Sequence, residues 1–295
     1  MLQLLLGGSG SGKTTLLYQR IRTRAEKGEK SILLVPEQFT SSTEGRIYRE
    51  LGDALSGMVE SFSFTSLAEK ILSTEGGAAV QTLSDAGRAV LVRRALEELQ
   101  DNVHYYHRHR RSAAFCQMAA QTIDELKSAG LSGRQLAQLA GACGAESGKL
   151  SELALIFQGY ETLLARSGMD PSDRLELAGA RLEEALARHS LPEFLRDRAV
   201  FIDEFDTFNA PKKRLLGAML AALPSVTVAL CDDGAPLLPG DLSLFSGAKQ
   251  VAAQLRQLAR KNGAEVAVPQ LLRKDLRHRN APGLAAVAEL SLIHI

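Results

Sequence analysis

The sequence predicts an α/β protein in which a parallel sheet is interrupted by an all-helical insertion. Short apolar runs alternate with helical segments at both ends of the 295-residue chain, and strands that alternate with helices form parallel sheets. Between about residues 83 and 189 the strand pattern disappears, and apolar residues recur at the three- and four-residue spacing of helices. A glycine-rich loop joins the first apolar run to the first helix.

The first part of the chain contains three predicted strands, each followed by a helix. Each strand is a short continuous apolar run, which is typical of parallel strands that are covered on both faces. The predicted strands are 2–6, 31–35 and 58–62, and the predicted helices are 14–27, 44–51 and 64–72.

The alternation resumes after the insertion, which glycine-bearing breaks near Gly130, 141–144 and Gly168 divide into four or five helices. The later predicted strands are 199–202, 226–230 and 265–268, and the later helices are 210–222 and 248–261. We therefore predict one α/β domain from 1–75 and 195–285, a helical insertion at 76–194, and an uncertain tail at 286–295 that ends in SLIHI without a stop signal.

The composition is that of a globular protein with almost no net charge. Hydrophobic residues make up 45% of the chain and charged residues 23%, and the formal net charge is +1. This balance gives no overall signal for nucleic acid, so any such contact must be local. No apolar run reaches the length of a membrane span, and the first strand leaves no room for a signal peptide, so a cytoplasmic protein without a membrane partner is expected.

The three cysteines are Cys116, Cys143 and Cys231, far apart and without C-x-x-C spacing. This arrangement argues against a disulfide framework, a zinc site or an iron–sulfur cluster held by this chain. We expect all three to be small buried apolar residues.

The glycine-rich loop reads GGSGSGKTT and matches the phosphate-loop pattern G-x-x-x-x-G-K-[ST]. Backbone N–H groups of such a loop surround a polyphosphate, and the helix that follows presents its positive N-terminus to the anion. In this pattern Lys13 reaches the β- and γ-phosphates, and the Thr14 hydroxyl holds Mg²⁺. The alternative is an ordinary glycine- and serine-rich turn. The predicted ATP-binding residues are Gly7, Gly8, Ser9, Gly10, Ser11, Gly12, Lys13, Thr14 and Thr15.

A second motif, AVFIDEF at 199–205, supplies the carboxylates that a phosphate loop requires. Asp203 at the end of this apolar run is predicted to hold Mg²⁺ opposite Thr14, and Glu204 to orient or deprotonate the attacking water. The alternative is a strand that ends in a solvated acidic turn.

The two motifs lie far apart in the sequence with helices between them, which is similar to superfamily 1 DNA helicases. There a helical 1B subdomain interrupts a RecA-like 1A domain. SFTSLA at 63–68 resembles their T-F-H-x-L-A motif, and FIDEFDTFN at 201–209 resembles their D-E-F-Q-D-T-N without the glutamine. VALCDDG at 228–234 stands where their third motif would be.

The chain as a whole resembles the N-terminal part of the AddB family, one of the two kinds of subunit in bacterial AddAB helicase–nucleases. The matching stretches are 7–15, 32–44, 63–72, 200–216 and 244–263. The resemblance implies a role in processing double-strand DNA ends for recombinational repair, with an AddA-type subunit as partner. It also implies a helicase-like body that is not the motor, with the nuclease domain and iron–sulfur cysteines further downstream.

The same resemblance favours DNA contact by Ser63, Phe64, Thr65 and Ser66, and Gln38 in the PEQFT loop is expected to face the same groove. Hydroxyl groups can bind phosphates without reading the base sequence. The alternative is that the serine and threonine hydroxyls cap the helix that follows.

The sequence departs from active helicases, because no glutamine follows Phe205 or Asp233 and no second RecA-like half supplies arginines. The hypothesis is therefore that this chain binds ATP–Mg²⁺ and hydrolyses it slowly at best. The alternatives are an active superfamily 1 helicase fragment, a P-loop kinase for a small molecule, and a non-enzymatic DNA-scanning module whose nucleotide site is structural.

The most basic cluster is HYYHRHRR at 104–111. A solvated basic turn is the favoured interpretation, and DNA contact by Arg108, Arg110 and Arg111 is the alternative. Metal binding is the least favoured, because H-x-x-H-x-H is not a standard zinc spacing.

Overall fold

The computed structural model describes residues 1–77, 81–144, 147–274, 276–277, 280–281, 283–284 and 286. The chain divides into two compact units. The first unit comprises 1–75, 179–208 and 213–295, and the second comprises 76–178 and 209–212. The domain boundaries predicted from the sequence stay a prediction, and all of the predicted tail except Ala286 lies outside the described residues.

A six-stranded sheet in which every neighbouring pair is parallel forms the centre of the first unit, and it confirms the predicted α/β class. The strand order is β3-β2-β4-β5-β1-β6. The strands are β1 (Leu2–Gly7), β2 (Ser31–Leu34), β3 (Val59–Phe62), β4 (Ala199–Ile202), β5 (Ser225–Cys231) and β6 (Gln270–Leu272).

Most residues of the four inner strands are buried, as their largely apolar sequences predict. All four residues of β2 and of β4 are buried. Pairs such as Gly7 with Cys231 and Leu34 with Ile202 show that these parallel strands all end at one edge of the sheet. Loops that follow the strands at this edge are therefore brought close together.

Several helices lie wholly or mainly in the first unit. Their bounds are α1 (Lys13–Glu26), α2 (Thr40–Leu51), α3 (Asp53–Ser56), α4 (Phe64–Glu75), α10 (Ala210–Ala222) and α11 (Ser246–Lys261). Of these, α1, α2, α4 and α11 contact strands of this sheet. Leu17 and Ile21 of α1 are fully buried and share a cluster with Leu5 and Leu33 of the sheet. Helix α2 begins at Thr40, four residues before the predicted start, because a single helical turn precedes it.

The last strand is where the sequence prediction is wrong. The sequence predicts a strand at 265–268, whereas β6 lies at Gln270–Leu272. Val266 forms only an isolated bridge with Leu2, and Val268 is 92% exposed. Pro269 follows and has no backbone N–H, so the pairing is interrupted there and resumes one residue later.

The second unit is helical, as predicted. The described residues from 85 to 187 form the helices α5 (Asp85–Glu98), α6 (Ala113–Ser128), α7 (Gly133–Ala140), α8 (Ser147–Ser167) and α9 (Pro171–Ala187), and α9 continues into the first unit. Side chains of Ser84, Ser112 and Ser132 cap the N-termini of the first three. Phe157 and Tyr160 of α8 are almost completely buried at the centre of this core.

A buried ionic cluster joins three helical segments of the second unit. The Lys127 ammonium donates to Asp170 at 2.7 Å and to Asp173 at 2.8 Å, and the Tyr160 hydroxyl donates to Asp170 at 2.5 Å. The Asp170 side chain is only 1% exposed. A charge at such a depth is stable only with its partners in place.

The cysteine prediction is right for Cys116, which is buried, and wrong for Cys143 and Cys231, which are exposed. Cys143 follows the short helix α7, and Cys231 is the last residue of β5. Among the residues that the structure describes, no helix combines the length and the apolar character that a bilayer crossing requires.

We expect Lys127→Ala to lower the free energy of unfolding of the second unit by about 3–5 kcal/mol, because it leaves Asp170 buried without its cation. Urea denaturation followed by far-UV circular dichroism would measure the loss. Arg94→Ala is the control: it removes an exposed cation paired with Glu98 at 3.1 Å, and about 0.3–0.5 kcal/mol is expected for such a pair. Equal effects of the two variants would contradict the role given to the cluster.

Candidate functional site

The two predicted motifs meet at the edge of the sheet where the strands end. The loop 8–12 follows β1, and Asp203 follows β4, with β5 lying between these strands. A cavity of about 720 Å³ opens between them. It is lined by Ser9, Gly10, Gly12, Lys13, Thr14, Thr15, Gln38, Phe39, Arg46, Asp203, Glu204, Phe205, Asp206, Ala229, Cys231, Leu276 and Arg277.

Six of the nine predicted phosphate-loop residues line this cavity, whereas Gly7, Gly8 and Ser11 do not. The Lys13 ammonium donates to the carbonyl oxygens of Gly7 and Gly8, each at 2.8 Å, which holds it against the loop. The Ser11 hydroxyl is buried and has no hydrogen-bond partner within the described part of the chain. The loop therefore presents a cation and a helix N-terminus to one space.

Asp203 is buried directly opposite α1, at 6% exposure. Its carboxylate accepts a hydrogen bond at 3.0 Å from the backbone N–H of Glu204, and Thr14 lines the same cavity. Glu204 has a left-handed backbone (φ 66) and its side chain is exposed. Such a backbone conformation is uncommon for a residue that is not glycine, and residues that adopt it cluster at functional sites.

Burial raises the pKa of Asp203 above its ordinary value. The Thr14 hydroxyl, the Glu204 N–H and the charges of Lys13 and Arg46 act in the opposite direction, without cancelling the effect. Burial thus costs the charged form of this carboxylate part of its stability, and a further cation beside it would restore that stability.

Arg46 is a residue of the cavity that the sequence analysis did not identify. It lies on α2, with its guanidinium carbon 5.0 Å from the centre of the Tyr18 ring. Burial raises the pKa of Tyr18 to about 12, so this phenol stays neutral beneath the cation. The strand–helix order could have pointed to it, because α2 follows β2, and β2 ends at the same edge of the sheet as β1 and β4.

Residues after β6 also reach the loop, which no motif indicated. The Leu276 N–H donates to the Gly10 carbonyl at 2.9 Å, and the Arg277 guanidinium donates to the Ser9 hydroxyl at 3.2 Å. Cys231, predicted to be buried, instead lines the cavity at the end of β5.

The predicted DNA contacts occupy different environments. The Ser63 hydroxyl accepts from the Ser66 N–H at 3.1 Å and the Ser66 hydroxyl accepts from the Ser63 N–H at 2.9 Å, so Ser63 caps α4. Phe64 is buried, whereas Thr65 and Gln38 are exposed, and only Gln38 lines the cavity. DNA contact by these residues stays a prediction.

Phe64 connects α4 to the acidic segment. Its ring lies 5.2 Å from that of Phe205 and 6.0 Å from that of Phe208, in edge-to-face contacts. The rings of Phe205 and Phe208 stack at 5.5 Å. The residues that follow Asp203 are therefore packed directly on the helix that begins at 64.

The motif at 228–234 comprises the end of β5 and the residues that follow it, and a buried lysine lies beside its acidic residues. Asp232 is buried and accepts from the Gly234 N–H at 2.7 Å. Asp233 lies 3.4 Å from the buried ammonium of Lys249. Among the described residues, no group of three or more histidine, cysteine or acidic side chains forms a metal cluster.

The fold and this cavity define an α/β protein with a candidate site for a phosphorylated ligand. The chain belongs to the AddB N-terminal family: the family described as "ADDB, N-terminal" matches residues 4–288. The resemblance found in the sequence is thereby confirmed.

Curated relatives are named as the B subunits of an ATP-dependent helicase/deoxyribonuclease. The protein of Desulforudis audaxviator is 34% identical over 96% of this chain and 25% of its own length. That of Moorella thermoacetica is 32% identical over 96% of this chain and 25% of its own length. The chain therefore spans about a quarter of the length of the curated relatives it matches.

Gly7→Ala is expected to destabilise the first unit by about 1–3 kcal/mol, because the added methyl group overpacks the site. A Cβ atom there would lie 2.4 Å from the Ser11 hydroxyl oxygen and 2.7 Å from the Leu272 carbonyl oxygen. Thermal unfolding would measure the effect. Gly8→Ala is the matched control, since its Cβ atom would meet nothing within 4 Å. A loss for Gly8→Ala as large as that for Gly7→Ala would contradict this account of the loop.

Proposed function

We propose that this chain is the ATP-binding and DNA-binding N-terminal region of a helicase–exonuclease subunit, with a RecA-like P-loop domain of the superfamily 1 type. The observation that carries the proposal is the convergence of Lys13, Thr14 and Asp203 on one cavity from motifs that are far apart in the sequence. A glycine-rich turn without a ligand does not require a buried carboxylate opposite its helix.

The residues of the site fit a nucleoside triphosphate with Mg²⁺. Loop N–H groups and Lys13 would hold the phosphates, and the oxygens of Thr14 and Asp203 are the hard ligands that Mg²⁺ prefers. The ion supplies neutralisation of the phosphate charge. The raised pKa of Asp203 agrees with this role, because a nearby cation stabilises the carboxylate that burial disfavours.

We propose further that the site turns ATP over slowly and that this region is not the motor. Glu204 is exposed in the cavity and could accept a proton from water. Arg46 adds a second cation on the same side. Asp206, however, follows Phe205 where the resembling helicases carry a glutamine, and an acid adds negative charge beside the phosphates instead of a neutral amide.

The wider role rests on the relatives, whose names describe one subunit of an ATP-dependent helicase/deoxyribonuclease. We propose that the whole protein processes double-strand DNA ends for recombinational repair in the cytoplasm, with an AddA-type helicase–nuclease subunit. In this proposal Gln38 and Thr65 contact DNA, while Ser63 and Phe64 hold the start of α4 in position.

The second candidate function is an active superfamily 1 helicase fragment. The observation that favours it is that Asp203 and Glu204 are both present and that both line the cavity. The difference between the two proposals is therefore the rate of hydrolysis and its response to DNA.

Asp203→Asn is expected to lower Mg²⁺-dependent ATP affinity at least about tenfold, or about 1.4 kcal/mol. It should preserve or raise the melting temperature at neutral pH. The folded pKa of Asp203 lies above its unfolded value, so the charged carboxyl destabilises the fold at higher pH. The stability difference between variant and native chain should shrink as the pH falls toward 3.8, the ordinary aspartate value. Calorimetric titration with ATP and thermal melts measure both effects.

Asp206→Asn is the matched control for this experiment. It removes an exposed carboxylate from the same cavity, and because it takes away negative charge without removing the proposed ion ligand, it should not lower the affinity for ATP with Mg²⁺. Equal losses of affinity in the two variants would refute the assignment of Asp203 to Mg²⁺.

Turnover separates the two candidate functions. Phosphate release by the native chain is expected to stay at least about a hundredfold below the typical enzyme rate of about 10 s⁻¹, with or without single-stranded DNA. Glu204→Gln should remove the residual rate while ATP binding persists. A rate that DNA stimulates strongly and that Glu204→Gln abolishes would favour the active helicase instead.

A further inference from the structure

The basic segment of the second unit has a defined shape. The Glu152 carboxylate, on α8 and only 6% exposed, accepts hydrogen bonds from the backbone N–H groups of His104, Tyr105 and Tyr106 at 2.7–3.3 Å. A buried carboxylate that binds three successive N–H groups holds this loop to one conformation. The segment is therefore a solvated turn between helices, as predicted, and the Glu152 carboxylate gives it a fixed shape.

Aromatic rings form a platform on this segment. The ring of Phe115 stacks on Tyr106 at 5.4 Å and on His109 at 5.5 Å, with interplanar angles of 30° and 29°. Tyr105, which is 59% exposed, lies against the backbone of α8, since a Cβ atom on Gly148 would come within 2.8 Å of its ring. Such rings are pre-positioned, so little side-chain entropy is lost when a ligand stacks on them.

A cavity of about 440 Å³ lies at this platform. Its lining consists of Tyr105, Tyr106, His109, Ala114, Phe115, Met118 and Lys149. The volume falls within the range of sites for small ligands or ligand groups. An apolar floor with a cation in its lining suits a flat ring that is attached to an anionic chain.

The charge around the platform is positive. Between Asp101 and Asp124 the sequence contains three arginines, three histidines and no acidic residue. Arg108 and Arg111 are exposed or partly exposed, and no ion pair to either occurs in the parts of the chain that the structure describes. By contrast, Arg93 and Arg94 in the same unit each pair with a glutamate at 3.1 Å.

We propose that this face, defined as residues 104–118 with Lys149, binds a single nucleic-acid strand. One base stacks on the aromatic platform, and the phosphates beside it contact the arginines of 108–111. A single strand is favoured over a duplex because a duplex buries its base faces in its own stack. It is favoured over an acidic peptide because carboxylates alone would leave the apolar cavity unfilled. The site lies wholly in the second unit and is independent of the nucleotide cavity.

The test is fluorescence anisotropy of the full chain with a labelled oligodeoxythymidylate of about 20 nucleotides. Tyr105→Ala is expected to weaken binding about tenfold or more, the usual effect of removing one stacking ring. Tyr105→Phe keeps the ring and should bind as the native chain does. Gly148→Ala keeps Tyr105 but displaces its ring, and it should weaken binding as well.

The charge contribution has a matched pair of variants. Arg108→Ala with Arg111→Ala should reduce the slope of log affinity against log salt by about 1.4, or about 0.7 for each phosphate that is no longer bound. Arg93→Ala with Arg94→Ala removes the same charge from exposed, paired positions and should change neither affinity nor slope. Circular dichroism melts check that each variant is folded.

The position of the strand is tested by photo-cross-linking an iododeoxyuridine oligonucleotide and mapping the attached peptide. Attachment within 104–118 supports the proposal, and attachment only near Gln38 or Thr65 overturns it. Unchanged affinity in both Tyr105→Ala and the Arg108/Arg111 variant also overturns it. So does equal competition by duplex DNA or by polyglutamate. ATP binding is measured in parallel, so failure of the nucleotide proposal is seen separately.

Discussion

The juxtaposition of the Thr14 hydroxyl and the Asp203 carboxylate in one cavity joins two segments that are far apart in the chain. It forms because β1 and β4 run parallel and end at the same edge of one sheet. The cavity, the Lys13 ammonium and the exposed Glu204 all take their positions from this alignment. A shift of either strand by one residue would turn the side chains of its end to the other face of the sheet.

Aromatic packing stabilises the segment that contains Asp203 and Glu204. Phe205 and Phe208 stack on each other and pack against Phe64 at the start of α4. The left-handed backbone of Glu204 directs Phe205 into this core while its own side chain stays exposed. The segment that begins at Asp203 is therefore packed on α4 through rings in direct contact. This contact physically connects the proposed nucleotide site with the proposed DNA contact at Thr65.

The helical unit follows a different principle. Its core is apolar, but its interior also contains the Lys127 and Asp170 pair and the Glu152 carboxylate, each engaged in hydrogen bonds. Buried polar groups of this kind select one arrangement of helices and loops, because every other arrangement would leave a charge without partners. One of these groups, the Glu152 carboxylate, fixes the shape of the surface at 104–118. The chain thus has a candidate site for a phosphate compound in one unit and a candidate stacking surface in the other.

Local sequence was sufficient for most of the fold and for the identity of the chemical groups. Largely apolar runs mark β1, β2, β4 and β5, because a strand covered on both faces buries nearly all of its side chains. The phosphate-loop sequence around Lys13 and the two acidic residues after β4 could also be recognised from the sequence. Both motifs are defined by residue type and by short spacings along the chain. The family follows from the same motifs.

Only the tertiary structure shows which side chains line the same cavity and which form hydrogen bonds within the fold. Arg46, Cys231 and Arg277 enter the cavity only because the sheet brings their segments to one edge. Ser63 caps a helix, and β6 begins after Pro269, because competing hydrogen bonds and a missing N–H settle those positions. The turn at 104–111 has a fixed conformation because its backbone N–H groups bind Glu152, which lies on a helix that is distant in the sequence. Contacts between distant segments depend on how the whole chain packs, and a local sequence pattern does not contain that information.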